Sequence, residues 1–100
     1  MIAYLKGKIQ YSTDKVVIVV CDGVGYKVEV GGNELPYVVG AECEFYIHTH
    51  VRENELRLFG FKTIQELQIF EYLLDVNGVG PKVAMSLICR LGANKVVESI

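Results

Sequence analysis

The apolar residues of this chain alternate with a period of two as far as Phe61 and then recur with a period near 3.6. An all-β segment followed by an α-helical one is the arrangement that satisfies both periods. In Ile2–Tyr11, the residues Ala3, Leu5, Gly7 and Ile9 share one face, and Lys6, Lys8 and Gln10 share the other. Val16–Val20 is an unbroken β-branched run, which predicts a strand buried on both faces. Asp22-Gly23 marks a tight turn, after which Tyr26, Val28 and Val30 alternate with Lys27 and Glu29. Gly31-Gly32-Asn33 and Pro36 mark a loop. Glu42–Val51 and Glu55–Phe61 form a last pair of strands, joined around Arg52-Glu53-Asn54. Five short strands with turns between them predict a small closed β barrel like the OB fold, with an SH3-like barrel as the alternative.

Residues 63–91 read as helical. Thr63-Ile64-Gln65-Glu66 is a capping box. Ile64, Leu67, Phe70 and Leu74 fall on one helical face, widened by Ile69, Leu73 and Val76. A second helix carries Val83, Leu87 and Leu91, with Ala84 and Ile88 beside them. These stripes are packing surfaces. Leu91-Gly92 reads as a helix end and Asn94 as the cap of a further helix with Val96, Val97 and Ile100 on its apolar face. So short a helix is marginal alone, so the chain reads as a piece of a longer protein. The change of period near Lys62 divides it into a barrel domain, residues 1–62, and a small all-α region, residues 63–100. No Pro/Ser-rich linker separates them, so the two are expected to pack together.

One hundred residues, 51% of them apolar, suit one compact domain or two very small ones. No segment is long and apolar enough to span a bilayer, so no membrane partner is expected. The N-terminus carries no basic stretch leading into an apolar one, as a secretory signal would. Three scattered cysteines, Cys21, Cys43 and Cys89, suit a reducing cytoplasm better than a disulfide framework.

Asn77-Gly78-Val79-Gly80-Pro81-Lys82-Val83-Ala84 joins the two predicted helices. It reads as the turn of a helix-hairpin-helix. Its glycines permit positive φ and close approach by another backbone, and the following helix start offers N–H groups to a phosphate. Pro81 suits the first helical position, where its missing N–H costs nothing. Lys82 stands at the positive end of a helix dipole, a place that disfavours a cation by about 0.3–1 kcal/mol unless an anion binds there. An ordinary helical hairpin with turn glycines is the alternative. The motif favours contact with nucleic-acid backbone rather than with bases. The formal net charge of −2 is awkward for such a role and confines it to a local patch. Residues 1–50 hold four Lys/Arg against six Asp/Glu, and residues 51–100 hold six of each, so the half with the hairpin is the less acidic.

No metal site, cofactor or catalytic group is expected. His48 and His50 share a strand face, but Cys43 has the opposite parity and two ligands do not make a zinc site. A glycosylase uses a similar hairpin with an acid some way downstream. Glu98 is the only acid after the motif here, and no nucleophile–base pair or P-loop is visible.

Five segments together resemble the N-terminal part of the RuvA family, over essentially the whole chain. They are Met1-Ile2 with Leu5, Gly7 and Ile9; Gly23-Val24-Gly25-Tyr26-Lys27-Val28; His48-Thr49-His50-Val51-Arg52-Glu53; Leu56-Arg57-Leu58-Phe59-Gly60-Phe61; and Asn77-Gly78-Val79-Gly80-Pro81-Lys82. Their order and spacing are more specific than any one of them. The resemblance implies an OB-like barrel, then a domain with two helix-hairpin-helix motifs, of which the first lies in this chain. A flexible domain that binds the RuvB motor would follow beyond Ile100.

It also implies a homotetramer that holds a four-way (Holliday) junction open, selective for structure and not for sequence. The setting would be recombination, repair and the SOS response to DNA damage, with the RuvC resolvase as a further partner. ATP hydrolysis would belong to RuvB, and this chain would not be an enzyme. The phosphate contacts implied are Lys82 and the backbone N–H groups of Gly78, Gly80, Val83 and Ala84, within a motif that includes Asn77 and Val79. An acidic pin at the tip of the last hairpin would repel phosphates at the junction centre. It falls on Glu53 and Asn54. The family pattern is Glu-Asp, so Asn54 removes one charge, which Glu55 would restore if it points to the tip. Arg52 beside the pin is implied as a phosphate contact. Read from the residues alone, Arg52–Glu55 is a solvated hairpin end, and the alternative to a phosphate contact of Arg52 is a cross-strand salt bridge to Glu55. A second role for the chain is an oligomerisation core that binds DNA only together with residues beyond Ile100.

Overall fold

The computed structural model describes residues 1–31 and 37–99, with side chains as far as Arg90. Gly32, Asn33, Pro36 and Ile100, and the apolar stripe from Leu91 on, lie outside the described residues. Five strands, β1 (Tyr4–Ser12), β2 (Val16–Cys21), β3 (Val24–Glu29), β4 (Glu42–Arg52) and β5 (Glu55–Phe61), precede two helices, α1 (Ile64–Leu74) and α2 (Pro81–Ser99). The strands close into a barrel in the order β1-β2-β3-β5-β4. All neighbours are antiparallel except β3 and β5, which run parallel. This is the five-stranded barrel that the alternating pattern predicts.

Asp22 and Gly23 both take positive φ, 50° and 79°, which is the backbone a two-residue hairpin needs to match strand twist. β1 slips register between Ile9 and Tyr11, the mark of a bulge at Gln10.

The barrel interior is filled by Ile9, Val17, Val19, Val28, Phe45 and their neighbours. β2 departs from expectation. Val17 and Val19 face the core, whereas Val16, Ile18 and Val20 lie half-buried on the outside. A closed single-layer barrel has one interior, so a strand is buried twice only where something else covers it. That strand is β5. Leu58 joins the barrel core, and Phe59 and Phe61 join a second cluster with Phe70, Leu73, Ala84 and Ile88 from the helices.

Thr63 caps α1 as predicted. Its Oγ1 accepts the N–H of Glu66 at 3.2 Å and donates to the Glu66 carboxylate at 3.0 Å. Phe70 and Leu73 are the buried residues of α1, and Ile64 and Val76 at the ends of the expected stripe are exposed. In α2 the buried seam is Pro81, Ala84 and Ile88, and Val83 is 47% exposed. The seam thus runs through Ala84, where the helix can come close to its neighbours. α2 also continues past Gly92 to Ser99 as one helix, so neither the end at Leu91-Gly92 nor a new start at Asn94 forms. A helical glycine costs about 1 kcal/mol, which weakens a helix without obliging it to stop.

His48 fastens the helices to the barrel. Its Nδ1 hydrogen-bonds Glu71 Oε2 at 2.8 Å, and its ring stands edge-on to Phe70 at 5.4 Å. No helix among the described residues is long and apolar enough to cross a membrane.

Candidate nucleic-acid interface

The link between α1 and α2 is built by local hydrogen bonds. The N–H of Asp75 donates to Tyr72 O at 3.1 Å, that of Val76 to Leu73 O at 3.0 Å, and that of Val79 to Val76 O at 3.1 Å. Gly78 takes φ +82°, a conformation that side chains rarely adopt, so glycine is required there by the turn itself. Val79 tucks partly into the helix cluster, and Asn77 is exposed. Pro81 opens α2 at the first helical position. Gly80 is the residue before it, and its carbonyl accepts the N–H of Ala84 at 3.0 Å.

Gly80 differs from Gly78. Its φ is ordinary, and a Cβ built on it would meet no heavy atom within 4 Å. The fold therefore does not require glycine at this position. What the missing side chain leaves is open space in front of the helix start. Among the described residues, no hydrogen bond engages the N–H of Gly78, Gly80, Lys82 or Val83. Ala84 does not belong with them, because its N–H is spent on Gly80 and its side chain is fully buried.

The two helix starts differ in charge. α1 begins with a hydroxyl cap and Glu66 in its first turn, which offset the positive end of the dipole. α2 has no acid in its first turn, and Lys82 adds positive charge there. The Lys82 side chain is exposed.

The β4–β5 hairpin stands clear of the barrel, with Val51 66% and Leu56 61% exposed as a directly opposed pair. Glu53 and Asn54 form its two-residue turn, and neither has a hydrogen bond or ion pair among the described residues. The Arg52–Glu55 bridge does not form. Arg52 Nε donates instead to His50 Nε2 at 3.0 Å, because residues two apart share a strand face. Glu55 Oε1 lies 3.9 Å from Arg57 Nη1. Its charge is partly countered at the base of the tip. Arg57 in turn donates from Nε and Nη2 to both carboxylate oxygens of Glu29, at 2.7 and 2.6 Å.

Partial burial, then the cations of Arg52, a charged His48 and Arg57, hold the His50 imidazole below its ordinary 6.5. A group whose pKa is lowered on folding has its favourable contacts in place above 6.5. They are lost as pH falls, when Nε2 takes a proton and can no longer accept from Arg52. In an NMR titration of the His50 ring, the midpoint is expected below 6.5, and Arg52→Ala should move it part of the way back up. A midpoint that does not rise in Arg52→Ala would show that the guanidinium exerts no hold on the ring.

The hairpin tip and the helix turn share no hydrogen bond or ion pair among the described residues. A cleft of about 410 Å³ lies between the barrel and α2, and Lys15, Glu29, Arg57 and Lys82 are among its walls. Nothing in the local sequence around Lys15 marks it, since closure of the barrel is what brings it beside α2.

Comparison with known proteins adds the following. The model of the family described as RuvA N terminal domain matches residues 1–60. The chain is 41% identical over 100 residues to the Holliday junction branch migration complex subunit RuvA of Halothermothrix orenii, covering 100% of this chain and 52% of that protein. Proteins of the same name from Bdellovibrio bacteriovorus and Rickettsia typhi are 43% identical over 91 residues and 42% over 92. These matches cover 88% and 91% of this chain, and 46% of each relative. The chain spans about half the length of the curated relatives it matches.

Proposed function

The chain belongs to the family of RuvA N-terminal domains, and on that premise we propose that it binds four-way (Holliday) junction DNA, selective for the junction's shape and indifferent to its sequence. The observation that carries this reading is the bare start of α2. Unengaged N–H groups are grouped there, no acid offsets the dipole, and the space outside Gly80 is open. A DNA phosphate suits all three features, and the Lys82 ammonium then faces an anion. Contacts of this kind go to backbone and carry no base information.

Glu53 at the hairpin tip, with Asn54 in place of the family's second acid, repels phosphates and parts strands at the junction centre, and Arg52 behind it meets phosphate at the crossover. Glu55 contributes less, being tied toward Arg57. The protein acts in the cytoplasm as a non-catalytic scaffold in recombination and repair. It works as a tetramer with the RuvB motor, which hydrolyses ATP, and with the RuvC resolvase. Four modest sites on one frame gain strongly from effective concentration.

A second reading, an oligomerisation core that grips DNA only with further residues, draws support from exposed apolar side chains, Val38 and Val39 before β4 and Val51 in the β4–β5 hairpin. Fluorescence anisotropy of a labelled four-way junction, beside a linear duplex at low and moderate salt, separates the two. The proposed function requires tighter binding to the junction, falling steeply with salt. Binding to neither DNA, with a stable assembly in sedimentation, would leave only the second reading.

A further inference from the structure

We propose that the cleft between the barrel and α2 is a second phosphate-contact site, in which Lys15 holds the DNA backbone as it leaves the helix-hairpin-helix turn. The inference rests on the proposed junction binding and adds to it a residue from a distant part of the chain. The cleft, about 410 Å³, is within the range of sites that hold a small ligand group. Lys82 is part of its wall, so a strand bound at the α2 start is already at the cleft's edge.

The backbone of Lys15 is fixed on both sides. Its N–H donates to Thr13 Oγ1 at 3.2 Å, and its carbonyl accepts the N–H of Val30 at 2.8 Å. Its side chain is exposed, and among the described residues neither the Lys15 nor the Lys82 ammonium has an ion-pair partner. Arg57 and Glu29 also line the cleft, but they neutralise each other through two short hydrogen bonds. The uncompensated charge is therefore that of Lys15 and Lys82, two cations brought to one groove from distant parts of the sequence. Ser86, one turn further along α2, adds a hydroxyl to the same wall. A polyanion with regularly spaced charges fits such an arrangement. Against this, Glu29 is the acid that a passing phosphate would approach, and its tie to Arg57 is what keeps it tolerable.

The test is the salt dependence of junction binding by the unsubstituted chain, by Lys15→Gln, and by Lys6→Gln as a control for bulk charge. Lys6 is an exposed lysine of β1 outside the cleft. Losing one phosphate contact should lower the slope of log K against log salt by about 0.9 and weaken binding about eight-fold near 0.1 M salt, for each copy engaged. Lys15→Gln should do this, with an unchanged melting curve, and Lys6→Gln should not. Unaltered binding and slope in Lys15→Gln would overturn the proposal while leaving the hairpin contact standing. Equal losses in both variants would overturn it too, since the effect would be one of net charge. No junction binding by the unsubstituted chain would overturn the parent reading and this one with it.

Discussion

Phe70→Ala is expected to cost about 3–5 kcal/mol of folding stability, the range found when a buried aromatic ring is removed from a core. Phe70 is fully buried and is the hub where the helices meet the barrel. Its ring centroid lies 5.2 Å from that of Phe59, 5.0 Å from that of Phe61 and 5.4 Å from that of His48. Three of the four rings come from β4 and β5, so this one side chain of α1 touches both strands that lead to the acidic tip. Removing it leaves a void that the rigid barrel wall cannot fill, and the surrounding atoms lose their dispersion partners. Domains of this size hold only about 5–15 kcal/mol in total. A thermal melt should therefore fall by about 12 °C or more, taking about 4 °C for each kcal/mol as the lower bound. Circular dichroism with urea or heat reads the effect directly. A loss below about 1 kcal/mol would mean that α1 does not dock on β5 through Phe70.

That hub also marks where sequence stops being informative. The bounds of β5 are those expected, because turn residues and alternation are local signals. Which strand is covered on both faces is not local. Val16–Val20 has the more apolar run, yet Phe59 and Phe61 receive the helices, and a run of apolar residues does not say what will arrive on its second face. α2 presents the same difficulty in helical form. Val83 and Ala84 begin two adjacent stripes, both periodic, and only the closeness of packing against α1 and β5 selects the one through Ala84. The site divides likewise. Gly78 was legible because its φ is a property of the turn. The place of Lys15 depends on barrel closure, which no spacing in the sequence encodes, whereas the Ala84 N–H bond follows from Pro81 at the first helical position and the Arg52–His50 contact from a shared strand face.

Gly80→Val is expected to weaken junction binding by at least ten- to a hundred-fold per engaged copy while leaving the fold and the assembly intact. The two halves of this expectation come from different observations. For the free protein, the φ of Gly80 is ordinary and nothing lies within 4 Å of a Cβ there, so a side chain is accommodated. Stability should fall by no more than about 1–2 kcal/mol, since valine is the poorer residue at the helix cap but the unfolded chain also loses freedom. For the complex, the same side chain fills the space through which a phosphate reaches the N–H groups of Lys82 and Val83. Each hydrogen bond to a charged group is worth about 1.5–3 kcal/mol, or about one to two decades of affinity. Gly78→Ala should behave in the opposite way, because φ +82° strains any side chain, and binding and stability should fall together. Anisotropy with the four-way junction, beside a melt and a sedimentation profile of each variant, distinguishes a blocked contact from a damaged fold. Undiminished junction binding by a folded Gly80→Val would remove the hairpin from the interface. The cleft and the hairpin tip would then have to account for DNA binding without it, which two unpaired lysines against the carboxylate of Glu53 are poorly placed to do.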